Sequence, residues 1–291
     1  MEMAIGFNQM RNIYQLKTWE VIIFIIISSA IFTYIDTPIY QLVYFIPTYW
    51  GRIICEFVLG GVLIGLYLLL ASTIETGHVT LEHSSMSYIF KNLGIGILIG
   101  IICICSIILS LMVFKCYTIE GFSFSGMSLL LSLAFYLIGA SCEEIVFRGI
   151  ILRFIGIKWN TVAALVISSV LFGFIHIFNS GMTWMGIVGI TLVGFMLGAS
   201  YLYSGSIWMP LGIHWIWNVL EDSVFGSAVS GSSADTSMIQ AQFQGSDLMI
   251  GGSCGIEASI VTMVFATIII IYFLLYSREE LKSNNKCKNK V

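Results

Sequence analysis

Eight stretches of this chain are apolar over the length, or nearly the length, that crosses a bilayer: roughly 19–35, 52–73, 93–115, 126–147, 161–178, 185–203, 207–221 and 258–276. A membrane helix needs about 20 such residues. The seventh stretch is short and comparatively polar, and the fifth and sixth are interrupted by glycine, which membrane helices tolerate better than soluble ones. Composition agrees. Of the 291 residues 58% are hydrophobic and only 10% are charged, against about 25% charged in soluble domains. A mean hydropathy of +0.94 over the whole chain excludes a water-soluble core with a polar shell. The 3 prolines suit long helices. The expected fold class is therefore all-α: a polytopic transmembrane helical bundle of about eight spans, forming one integral membrane domain over 1–291.

Orientation follows from the basic residues rather than from the net charge of −3. With eight spans and a cytoplasmic N-terminus, the inner segments collect Arg11, Lys17, Lys91, Arg148, Arg153, Lys158, Arg278, Lys282, Lys286, Lys288 and Lys290. The outer segments collect Arg52 and Lys115. This is the positive-inside asymmetry, and it puts both termini in the cytoplasm; seven spans would export the basic tail. The first apolar run follows basic residues but has no small-x-small cleavage site after it, so it reads as a retained helix. The segment from about 222 to 257 lacks Lys and Arg and is rich in Gly, Ser and Gln, which suggests an irregular outer loop or lid. The tail 277–291 is polar and charged, and reads as a frayed or surface-bound cytoplasmic segment. The 7 cysteines lie mostly within apolar runs and lack the paired spacing of a zinc ribbon or disulfide framework.

Against this background the polar residues inside spans stand out. A charge there costs roughly 2.5–3.5 kcal/mol on insertion scales, so its default meaning is functional. Three places carry such residues. Glu143 and Glu144 end the fourth span, and Glu144 can pair with Arg148 one helical turn on. Glu143 points about 100° away and has no evident local partner. His176 lies in the fifth span. His214 and Asn218, four residues apart on one face, lie in the seventh, with Pro210 suited to that helix's first turn. Each has a plain structural reading: an interfacial charge, a packed histidine, a polar pair joining helices. Taken together they make a hydrolytic set. A carboxylate and a histidine can hold and deprotonate water, while a second histidine and an amide can donate to the oxyanion formed on a carbonyl. Polar residues in spans would also suit a small transporter, but the repeats expected of one are not evident.

The ordered motifs E-E-I-V-F-R at 143–148, F-G-F-I-H at 172–176 and H-W-I-W-N at 214–218 resemble those of the CPBP family of CAAX proteases and bacteriocin-processing enzymes, over a core of about 126–222. The resemblance implies an eight-helix intramembrane endopeptidase with a cavity open to membrane and cytoplasm. It implies Glu143 as the base that activates water with His176 beside it, and His214 and Asn218 as the oxyanion site. Glu144, Arg148 and Phe172 would then be supporting residues. The traditional family label is metalloprotease; Glu143, His176 and His214 could ligate one zinc, and they could equally work without metal. The Ile-rich composition, Lys-rich tail and Gly-Gly loop look bacterial. That implies a multi-pass protein of the bacterial plasma membrane that processes a membrane-associated peptide in pheromone or bacteriocin maturation, or in bacteriocin immunity. The expected partners are that peptide and the lipid bilayer, not nucleic acid. The alternative from another class is a non-catalytic immunity or sensor-regulating binding protein. On topology, a reporter fused after Val291 is expected to respond on the cytoplasmic face; a response on the outer face would remove the eight-span arrangement.

Overall fold

The computed structural model describes residues 85–232 and 237–288, with the isolated helical positions 54, 58 and 62. The first two expected spans, His78, His83 and the N-terminal orientation fall essentially outside the described residues. Five of the described helices are long and apolar enough to cross a membrane: Met86–Val113, Gly126–Gly156, Thr161–Phe178, Trp184–Ser204 and Ile260–Ser277. They match the expected third to sixth and eighth spans, with ends shifted by a few residues.

In chain order, α1 is Met86–Val113, β1 Tyr117–Phe122 and α2 Gly126–Glu144, which runs on as a π-helical segment, Ile145–Leu152, and then α3, Arg153–Lys158. Next come α4, Thr161–Ile175, with a 3-10 turn at His176–Phe178, and α5, Trp184–Ser204. After α6, Trp208–Asn218, comes a second π-helical segment, Val219–Val224. Strand β2, Ile239–Phe243, the short α7, Asp247–Ile250, and two 3-10 turns lead into α8, Ile260–Lys288.

Local chemistry sets the helix starts. Ser85, Ser125, Asn160 and Thr183 each accept a hydrogen bond from a backbone N–H three residues on, satisfying a donor that the helix itself cannot. Gly205, at φ +65°, closes α5 in the left-handed conformation. Many large apolar side chains, among them Leu98, Leu109, Val170, Val188 and Ile268, point outward. In water this would be a liability; on a bundle solvated by lipid it is the expected surface.

The strand pair departs from the all-α expectation, and the tail and the seventh span depart from the expected organisation. The segment from about 222 to 257 is not wholly irregular: β2 pairs antiparallel with β1, Tyr117 opposite Phe243 and Phe122 opposite Ile239, with a register irregularity between Ile119 and Gly121. The alternation Ile239-Gln240-Ala241-Gln242-Phe243 is a strand pattern of period two, hidden in the sequence by the surrounding Gly and Ser. The expected tail is helical as well, since α8 continues past the membrane-length portion to Lys288. The expected seventh span is a short, largely buried helix extended by its π turn, and it is not among the five of spanning length.

Helix α6 is held against α1 by direct backbone approach. A methyl group on Gly96 would collide with the Met209 carbonyl oxygen, and one on Gly212 with that of Leu93. Small residues permit this packing where no hydrophobic gradient drives helices together. Gly212→Ala is therefore expected to destabilise the protein by about 1–3 kcal/mol, read as a lower unfolding temperature in detergent. Unchanged stability would mean that the two helices part at little cost.

Candidate active site

Of the residues singled out in the sequence, Glu143, Glu144, Arg148, Phe172, His176 and His214 come together from α2, α4 and α6. Glu143 and Glu144 occupy the last turn of α2, and Arg148 lies in the π-helical segment that follows. Phe172 comes from α4, and His176 is that helix's C-cap. His214 and Asn218 come from α6. Both π-helical segments begin immediately after site residues, as single π turns often do at functional sites.

Glu144 is the hub. Its Oε1 accepts from Arg148 Nη1 at 2.7 Å and from His214 Nδ1 at 2.9 Å. Arg148 is fully buried at 0% exposure. Its Nη2 donates to the Gly194 carbonyl on α5 at 3.0 Å, and its guanidinium lies 4.6 Å from the centre of the Phe172 ring. The expected Glu144–Arg148 pair is thus present. It also removes Arg148 from the topological count, because an arginine with no exposure cannot mark the cytoplasmic interface.

Phe172 spaces the two histidines. Its ring is 5.2 Å from His176 and 5.8 Å from His214, with Phe147 packed edge-on at 5.2 Å. His176 Nδ1 lies 2.7 Å from the Phe172 carbonyl oxygen. A carbonyl only accepts, so the proton sits on Nδ1 and Nε2 is left for other partners. The same logic applies to His214, whose Nδ1–H donates to the Glu144 carboxylate. Its Nε2 then lies 3.7 Å from Glu143 Oε2. If neutral, that Nε2 is a lone pair facing a carboxylate oxygen. The pair requires either a proton on His214 or a bridging water, and the separation is long for a direct hydrogen bond.

Glu143 Oε2 is buried without a hydrogen-bond partner among the described residues, as are Glu144 Oε2 and Arg148 Nε. The fold brings Glu143 to His214; among the described residues it makes no hydrogen bond or ion pair with His176. Asn218 lies one turn beyond His214, half-buried.

Residues 125–220 match the family model described as Rce1-like, type II CAAX prenyl endopeptidase. That match supports CPBP family membership for this part of the chain. Comparison with curated proteins and with solved structures gives no match. The matched region runs from the N-cap of α2 into the π turn after α6, and so contains Glu143, Glu144, Arg148, Phe172, His176, His214 and Asn218. Among the described residues no three His, Cys, Asp or Glu side chains converge as metal ligands. Glu143, His176 and His214, all described, do not form such a group.

Two buried carboxylates adjoin the site and were not singled out as functional in the sequence. Glu221 is 0% and Glu257 4% exposed. Glu221 accepts from Trp217 Nε1 at 2.8 Å and from Ser227 Oγ at 3.2 Å. Glu257 Oε2 accepts from both the backbone N–H and the hydroxyl of Ser230, at 2.7 and 2.8 Å. Burial pushes the Glu257 carboxyl above its ordinary range, while the Ser230 hydrogen bonds and the charges of His176 and His214 pull it back. The sequence signals were there: Trp217 and Glu221 one turn apart, and a lone Glu at the mouth of an apolar span.

Breaking a buried pair costs about 3–5 kcal/mol because the remaining charge has no partner. Arg148→Ala is expected to destabilise the protein by that order, and Glu144→Ala/Arg148→Ala together by less than the sum of the single changes. Thermal unfolding of the purified variants reads both. Additive losses would mean that the two residues act independently.

Proposed function

We propose that the protein hydrolyses a peptide bond in a membrane-associated peptide, using water activated by Glu143. The observation that carries this reading is the orphaned, buried Oε2 of Glu143 facing His214 Nε2 at 3.7 Å. A water held between such groups has a base on one side and a polar ring nitrogen on the other.

Glu143 takes a proton from the water as its oxygen attacks the substrate carbonyl carbon. The carbonyl oxygen becomes an oxyanion. His214, when protonated, donates from Nε2 to that oxyanion, while Glu144 holds its Nδ1–H and balances its charge. The Asn218 amide supplies a second donor. The tetrahedral intermediate collapses with loss of the amine, which receives the proton carried by Glu143. His176, with Nδ1–H committed to the Phe172 carbonyl, offers Nε2 to the water or to the departing amine. Arg148 and Phe172 keep Glu144 and the two rings in place.

The substrate class follows from the setting. A site walled by apolar helices admits an extended segment anchored in or on the bilayer more readily than a soluble protein. The proposed biological role is maturation of a secreted peptide such as a pheromone or bacteriocin, or immunity to one, in a bacterial plasma membrane. Zinc enters only as an experimental question.

The test is cleavage of a library of membrane-anchored peptides by purified protein in detergent. The wild type is expected to cleave some of them, and Glu143→Ala to lose about 10²–10⁴ in rate. A chelator arm measures whether activity needs metal. No cleavage by the wild type, or equal cleavage by Glu143→Ala, would overturn the proposal.

A further inference from the structure

Ser230 is one of two described non-glycine residues at positive φ, at +50°. Such a conformation persists only where the surroundings over-determine it, and it clusters at functional sites. What holds it here is a carboxylate whose burial is itself costly: Glu257 Oε2 accepts both the Ser230 N–H and its hydroxyl.

The Ser230 carbonyl continues the connection. It accepts from Asn179 Nδ2 at 2.6 Å, and the Asn179 N–H donates to the His176 carbonyl at 3.0 Å. Parallel links knit the same three segments. Gly181 N–H donates to the Gly231 carbonyl, Gly231 N–H to that of Cys254, and Ser253 Oγ to that of Gly181. His176 needs this support because it sits where α4 ends. Its ring is tied back to the helix through Nδ1, and beyond it runs only the single 3-10 turn His176–Phe178, which the Asn179 N–H closes.

We propose that Glu257 is a positioning residue of the active site, which clamps Ser230 and, through Asn179, fixes the turn that carries His176. This deepens the hydrolytic reading above and rests on it for the role of His176. Glu257 touches no reacting atom in this account. It acts by holding the Nε2 of His176 within reach of the water and the departing amine.

The test compares wild type, Glu257→Gln, Ser230→Gly and, as a control, Glu143→Ala. Glutamine keeps the size of Glu257 but removes the charge that holds both Ser230 donors. Glycine adopts the positive φ without strain and keeps the N–H bond, so Ser230→Gly is expected to fold even if Glu257→Gln does not. Four quantities are read: unfolding temperature, kcat and KM on a cleaved peptide, and hydrogen exchange at the Asn179, Gly181 and Met182 amides.

The clamp predicts faster exchange at those amides in Glu257→Gln. It also predicts a kcat lower by between about tenfold and a hundredfold, with KM little changed. Ser230→Gly is expected to show the same changes to a smaller extent while remaining folded. Unchanged exchange and unchanged kcat in whichever variants fold would overturn the inference, and so would a loss confined to unfolding temperature. If wild-type protein cleaves nothing, the hydrolytic reading fails separately, and the exchange data alone decide whether the clamp holds the turn.

Discussion

One carboxylate, Glu144, organises the rest of the site. An ionised group with 1% exposure inside a helical bundle is untenable alone, and each partner that makes it tenable performs a second task. Arg148 neutralises it and reaches across to the Gly194 carbonyl, tying α5 to the end of α2. His214 donates Nδ1–H to it, which orients the other face of that ring toward Glu143. The arginine covers the Phe172 ring, and Phe172 sets the spacing of both histidines. Requirements for stability and for chemistry therefore fall on the same residues.

The helix packing around this network has one purpose that the network cannot serve itself: bringing three elements distant in sequence to one point. Gly96 and Gly212 let α1 and α6 approach at backbone distance, and α6 presents His214 to the end of α2. The π-helical segment after Glu144 carries Arg148 back toward its partner. The lipid-facing surfaces carry no comparable constraint; they need only be apolar.

Much of this was legible in the sequence, and the boundary is instructive. Apolar runs of spanning length identified five of the described helices, because the hydrophobic requirement of a bilayer is nearly independent of tertiary context. The Glu144–Arg148 pair was legible because four residues is a helical turn, and that geometry survives the π distortion. Which histidine faces Glu143 was not legible: His176 and His214 both lie far away in sequence, and only the fold brings His214 there. Strand β2 was obscured because Gly and Ser around 222–257 suggested irregular chain, whereas the pairing that orders it comes from β1, more than 100 residues earlier. Glu221 and Glu257 flank the 222–257 segment, and their burial and the serines that hold them come only with the fold.

The central claim is that Glu144 holds His214 with Nδ1 protonated and Nε2 directed at Glu143. Nitrogen-15 NMR of histidine-labelled protein in detergent tests it most directly. The account predicts a protonated Nδ1 on His214 in either charge state, with the Nδ1 signal moving in Glu144→Gln and the Nε2 signal moving in Glu143→Gln. A neutral His214 protonated at Nε2, or a ring insensitive to both substitutions, would contradict it.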